Sequence, residues 1–222
     1  IEADDIDSYN NGMDIPYMLN MTPSIVVSSD AGAGIGYTSM RIRGTDMTRI
    51  NVTLDGIPLN DAESHGVFWV NMPDFASSVD NIQIQRGVGT STNGAAAFGA
   101  NVNFVTNKVK KKAYADVNLM MGSFNTQKAT VMAGTGLIKN RFAFDGRYSY
   151  VYSDGFIDRA FSDLRSYHLS GTFVNKKNFL KINAFSGKEK TYQAWNGVPK
   201  DSLETNRTYN PYTYNDETDN YK

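Results

Sequence analysis

Arg141-Phe142-Ala143-Phe144-Asp145-Gly146-Arg147-Tyr148-Ser149-Tyr150-Val151-Tyr152 decides the reading of this chain. Phe142, Phe144, Tyr148, Tyr150 and Tyr152 fall at even spacing, opposite Arg141, Asp145, Arg147 and Ser149. A period of two is the signature of an extended strand with unlike faces. The same alternation runs before and after it. Ala113, Ala115, Val117, Leu119 and Met121 oppose Tyr114, Asp116 and Asn118; Ala129, Val131, Ala133 and Leu137 oppose Lys128, Thr130 and Gly134. Tyr167, Leu169 and Phe173 oppose Ser166, His168, Ser170 and Thr172, and Leu180, Ile182 and Ala184 oppose Lys181 and Asn183.

These are five strands of about ten residues, and their links alternate in length. Leu137–Asn140 and Asn175–Asn178 are tight, whereas Ser153–Asp163 and the stretch from Thr191 are long and polar. Gly122–Thr126, on the long side, is short. Outer-membrane barrels follow this scheme, with short periplasmic turns and longer extracellular loops. Alternation alone also fits an antiparallel sheet in a soluble sandwich. The charges opposite aromatic-tipped apolar faces favour the barrel. His168, among hydroxyl residues, is expected to face the lumen and hydrogen-bond there.

Upstream of residues 107–112 the texture differs. Short candidate strands, near Ile25–Val27, Ser39–Gly44, Ile50–Gly56, Asn81–Gly87 and Asn101–Val105, are separated by Gly-rich loops. Asp14 can cap a helix to about Met21, ended by Pro23, and Asn71 one through Phe75 to about Ser78. The expectation is a small mixed sheet with two short helices.

Composition narrows the function. Lys plus Arg is 22 and Asp plus Glu is 23, a net charge of −1 over 222 residues, which argues against a nucleic-acid binder. Without Cys there is no disulfide, thiolate zinc site or cysteine nucleophile, and His65 and His168 alone cannot build a multi-histidine metal centre. Mean hydropathy is −0.42, compatible with a barrel whose strands are apolar on one face. The glycines at 32, 34, 36, 87 and 89 are followed by neither a helix N-terminus nor a P-loop lysine, so tight turns account for them. Gly89-Thr90-Ser91-Thr92-Asn93 misses the nucleophile-elbow pattern. No catalytic constellation, cofactor motif or metal site is expected. One loop does concentrate recognition chemistry: Asn60-Asp61-Ala62-Glu63-Ser64-His65-Gly66-Val67-Phe68-Trp69.

Met40-Arg41-Ile42-Arg43-Gly44, then Val52-Thr53-Leu54-Asp55-Gly56-Ile57-Pro58-Leu59, resembles the plug signature of TonB-dependent outer-membrane receptors. Ile82-Gln83-Ile84-Gln85-Arg86-Gly87, then Phe98-Gly99-Ala100-Asn101-Val102-Asn103-Phe104-Val105-Thr106, resembles the end of that domain. Among members, Arg41 to Thr106 looks most like ferric citrate-type receptors; Ala95-Ala96-Ala97 departs from the Tyr-containing stretch many carry. The resemblance implies an α+β plug over residues 1–107, then antiparallel strands of an incomplete transmembrane β-barrel over 112–222, ending in an extracellular loop. A plugged transporter has about 22 strands, ~220 residues of strand alone. The chain is therefore expected to be a fragment, with the TonB box outside it.

The implied function is a receptor in the bacterial outer membrane. It would import a ferric chelate, with cobalamin or a saccharide as other ligands, using the TonB energy complex and contacting membrane lipid. The alternative is a soluble β-rich binding or adhesion module. For the receptor, the expected ligand residues are Arg49, Asp61, Glu63, His65, Phe68 and Trp69, on a loop projecting from the sheet end after Asp55-Gly56. Arg49 aligns with an Arg of ferric citrate-type plugs, where a guanidinium suits a carboxylate-rich chelate. Arg43 and Arg86 are expected to pair with carboxylates of the barrel wall, holding the plug.

Overall fold

The computed structural model describes residues 1–88, 97–192, 194–212, 214, 215, 220 and 221. The Gly89–Asn93 stretch and Ala95-Ala96 lie outside them. The first region opens with helices α1 (Ala3–Tyr9) and α2 (Ile15–Met18) and the antiparallel hairpin β1 (Ile25–Ser29) and β2 (Thr38–Ile42). A four-stranded sheet follows: β3 (Ile50–Leu54), β4 (Ile57–Pro58), β5 (Val79–Arg86) and β6 (Ala100–Thr106), in the order β4-β3-β6-β5. Only β3 and β6 run parallel.

Alternation in β6 drives this sheet's burial. Ala100, Val102 and Phe104 enter a core with Ile50, Val52, Leu54, Ile82, Trp69 and Phe75. The opposite face carries a polar ladder, Asn51 Nδ2 donating to Asn101 Oδ1 at 2.6 Å and Thr53 Oγ1 to Asn103 Oδ1 at 2.7 Å.

The helical expectations shift. Beyond Asp14, α2 spans only Ile15–Met18 and closes at Leu19. The expected Asn71–Ser78 helix is two 3-10 turns, Trp69–Asn71 and Phe75–Ser78. Pro73 disfavours helical geometry at Met72, and Asp74 is left-handed, with φ 51°. Helix α1, with Ile6 buried, carried too short an apolar pattern to read from sequence.

After residues 107–113 comes one antiparallel meander: β7 (Tyr114–Gly122), β8 (Thr126–Gly134), β9 (Phe142–Ser153), β10 (Ser162–Val174) and β11 (Phe179–Thr191). Its faces divide as the alternation requires. Leu119, Phe144, Tyr148, Leu169 and Ile182 are exposed, while Lys128, Thr130, Arg147, Ser149, Ser166, His168 and Thr172 are buried. The buried face is the polar one because the first region lies against it. In water this would be inverted; facing lipid it is the stable arrangement.

Candidate functional site

Plug and wall meet along polar groups, centred on Asp74. Its carboxylate pairs with Lys128 Nζ at 2.7 Å, with Arg147 Nη1 at 3.5 Å, and all three side chains are almost wholly buried. Ser77 donates to Oδ1 at 2.7 Å, Thr130 and Ser149 to Oδ2 at 2.5 and 2.6 Å. Lys128 also donates to Asn10 at 2.8 Å; Arg147 Nε donates to Ser78 at 2.7 Å. Ser166 on β10 reaches the Pro73 carbonyl at 2.6 Å. Burial alone would raise the Asp74 carboxyl, but the two cations and the hydroxyl donors outweigh it and hold it below the usual range.

Two further contacts flank this junction. Asp55 accepts from Thr106 N at 2.9 Å, from its hydroxyl at 2.6 Å and from Asn183 Nδ2 at 3.2 Å; Lys181 donates to the same hydroxyl and, at 3.0 Å, to the Asn107 carbonyl. Gly187 lets the plug pass close to β11, since a Cβ there would sit 2.6 Å from the Asn71 carbonyl. His168 faces the plug as expected, between Phe75 and Phe185, but its Nε2 has no hydrogen-bond partner among the described residues.

The second locus is the side toward the long links. Ala31 accepts from the amides of Phe156 and Ile157 at 2.8 and 3.1 Å, and Tyr37 packs edge-on to Trp195 at 5.7 Å. Tyr37 also lines a cleft of about 230 Å³ with Asp30, Met47, Phe68, Trp69 and Val70. Burial raises the Asp30 carboxyl there.

The Asp61–Trp69 loop leads into this cleft by an unexpected route. Asp55-Gly56 reverses the chain into β4, and the loop runs back to the other end of β3. Asn60 fixes it, accepting from Val52 N at 2.8 Å and donating to the carbonyls of Ile50 and His65 at 2.9 and 2.8 Å. This places the loop beside Arg49. Asp61 is occupied by the amides of Ser64 and Glu63, at 2.7 and 3.1 Å, which hold its carboxyl below the usual range. Glu63 and His65 are exposed, His65 with φ 59°. Phe68 is 51% exposed and Trp69 only 2%, packed against Phe104 at 6.0 Å. Trp69 therefore meets the cleft from the core side.

Arg43 and Arg86 lie together. Arg86 Nη1 donates to the Pro23 carbonyl at 3.1 Å, and the Arg43 amide to the Ser24 carbonyl at 2.9 Å. Neither enters an ion pair among the described residues. The pairing that the sequence missed has the reverse polarity, with the carboxylate on the plug and the cations on the wall. Lys128 and Arg147, lone cations on polar strand faces, were the available signal, but nothing local pointed from them to Asp74.

A family model described as the TonB-dependent Receptor Plug Domain matches residues 1–101. Residues 1–101 thus carry the plug domain of the TonB-dependent receptors. It is 26% identical over 137 residues to a vitamin B12 transporter, BtuB, of Vibrio vulnificus, covering 62% of this chain and 21% of that protein. Among solved structures it resembles the siderophore receptor PirA of Acinetobacter baumannii, with a TM-score of 0.68 and 17% identity over 87% of this chain and 32% of the other. It also resembles pyoverdine-bound FpvA of Pseudomonas aeruginosa, with a TM-score of 0.68 and 19% identity over 85% of this chain and 24% of the other. At these identities the structural likeness is one of fold. The chain thus spans a fifth to a third of the length of these relatives.

Proposed function

We propose that this chain supplies the plug, residues 1–107, and the first five wall strands, from residue 112, of a bacterial outer-membrane receptor that imports a ferric chelate. The observation that carries the reading is the inverted wall. Its apolar face is exposed and its polar face is sealed onto the plug through Asp74, Lys128 and Arg147. That arrangement suits a lipid-facing barrel closed by a removable domain, and it disfavours a soluble adhesion module.

The ligand would enter from the long-link side and rest on the cleft and its loop. Arg49 offers a guanidinium to a carboxylate-rich chelate, His65 and Glu63 offer hydrogen bonds, and Phe68 offers a rigid apolar surface. Asp61 would shape the loop, and Trp69 would back it. The names of PirA and FpvA's ligand favour a siderophore-class chelate over the cobalamin of BtuB. Passage involves no bond-making step. Force from the TonB complex would rearrange the plug, and Arg43 with Arg86 would be held by wall carboxylates outside this chain.

The test is uptake by cells expressing the receptor that carries this chain, offered labelled ferric citrate, a ferric siderophore and cyanocobalamin, with and without TonB. TonB-dependent accumulation of a ferric chelate is expected. Uptake of cobalamin alone, or of none of the three, would refute the ligand assignment. Neutralising Arg43 and Arg86 in the same cells should loosen the plug and change uptake.

A further inference from the structure

The short-turn rim of the wall is strongly basic. The linker 107–113, the β8–β9 turn 135–141 and the β10–β11 turn 175–178 contain four lysines at 108–112, Lys139 and Arg141, and Lys176 and Lys177. Those are eight of the chain's 22 Lys and Arg, and the three segments contain no Asp or Glu. All eight side chains are exposed. Lys108 pairs with Asp80 at 2.7 Å and Lys110 lies 3.6 Å from Asp116; the other six have no ion pair among the described residues. The opposite rim differs: segments 123–125 and 154–161 carry Asp154 and Asp158 against Arg159 alone.

Packing makes the three segments one surface. Leu137 N donates to the Lys111 carbonyl at 3.3 Å, and Val174 N to the Arg141 carbonyl at 2.8 Å, so linker and turns lie side by side. The cations also border the apolar band directly. Ile138, Phe142 and Leu180 are exposed within one to three residues of Lys139, Arg141 and Lys177, and Phe142 and Leu180 stand on the outward faces of their strands. With about 3.3 Å per strand residue, the charges stand within roughly 10 Å of the hydrocarbon edge, at headgroup depth. Six unpaired cations held there, with no acid among them, would repel one another unless anions lie between them.

We propose that this rim binds anionic phospholipid headgroups in the leaflet at the short-turn end. The cations would coordinate headgroup phosphates while Phe142 and Leu180 fix the depth of the strands. The proposal rests on the membrane reading of the wall and goes beyond it by assigning a lipid class to one rim.

The receptor carrying this chain would be reconstituted in mixed phosphatidylcholine–phosphatidylglycerol nanodiscs. The motionally restricted fraction of spin-labelled lipid of each class then reports binding. About fivefold enrichment of phosphatidylglycerol over phosphatidylcholine is expected at low salt, shrinking at high salt. Changing Lys111, Lys112, Lys139, Arg141, Lys176 and Lys177 to Gln should abolish it; changing Lys188, Lys190 and Lys200 to Gln should not. If the sixfold variant does not fold, Lys139→Gln with Arg141→Gln should reduce the enrichment. Equal retention of the two lipids, or enrichment indifferent to these changes, overturns the proposal. Selective retention of lipopolysaccharide instead, lost in the same variants, assigns the rim to lipid A phosphates and also overturns it. Failure of the wild-type receptor to enter nanodiscs sinks the membrane reading itself, a result distinct from insertion without lipid preference.

Discussion

Plug and wall use the same two-residue alternation and bury opposite faces. In β6 the apolar Ala100, Val102 and Phe104 point into a core, while Asn101 and Asn103 face away. In β9 the apolar Phe144 and Tyr148 point out, while Arg147 and Ser149 are buried. The difference teaches that alternation specifies two faces but not which one is inside. The surroundings choose, an apolar core for the plug sheet and the polar flank of the plug for the wall, whose apolar face is left to lipid on the reading proposed above. The two regions then join through buried polar groups, and those around Asp74 find their partners across the junction.

The sharpest break of this comparison is at Asp74. Asp74→Ala leaves Lys128 and Arg147 buried without their counter-charge, at an expected cost of up to about 5 kcal/mol. Plug unfolding in the receptor should shift accordingly and protease should reach the plug. An apolar replacement of all three residues should recover part of the loss. Unchanged stability in Asp74→Ala would show that the junction rests on other contacts.

Within the plug, Asp14 behaves oppositely to Asp74. It is buried, accepts from Thr38 Oγ1 at 2.8 Å and enters no ion pair among the described residues, and burial raises its carboxyl from 3.8 to about 7. The folded plug therefore keeps a proton that the unfolded chain releases. Its contribution is complete below pH 3.8 and declines as pH rises toward about 7. The loss is on the order of 4 kcal/mol. Asp74, held low, acts the other way and costs stability as pH falls below the usual carboxylate range. Unfolding measured from pH 4 to 8 should show the decline in wild type and a flatter profile in Asp14→Asn; parallel profiles would refute it.

On the wall, Leu169→Lys puts a cation on the exposed apolar face and should cost about 3 kcal/mol in a bilayer. The same change should be nearly neutral if that face met water, so unfolding from lipid vesicles tests the inversion directly. The smallest expected effects on stability are at the loop. Arg49→Ala, His65→Ala and Phe68→Ala should each change stability by less than about 0.5 kcal/mol. Ligand affinity of the receptor should fall about tenfold for at least one. Wild-type affinity in all three would move the ligand to other loops.

Much of this was readable in the residues. The change of texture at 107–112, the five strands with their two faces, and the strand-turn signatures at Arg43-Gly44 and Asp55-Gly56 are local patterns, and local patterns survive in a linear sequence. The loop rich in recognition groups was visible too, yet its place was misjudged. The turn at Asp55-Gly56 says that the chain reverses, not that β4 and Asn60 carry it back beside Arg49. The helix expected after Asn71 was undone by one left-handed residue, and Asp74 could be seen to matter only once the wall lay against it.

The sequence by itself determined the wall strands, their two faces and the likeness of the first region to a plug, because periodicity and turn chemistry act over a few residues. Only the tertiary structure decided that Phe68 is exposed while the adjacent Trp69 is buried. It alone brought Asp74 to Lys128 and Arg147, 54 and 73 positions away. The physical reason is that a buried charge is tolerable only beside its counter-charge, and a partner that distant in sequence is chosen by packing.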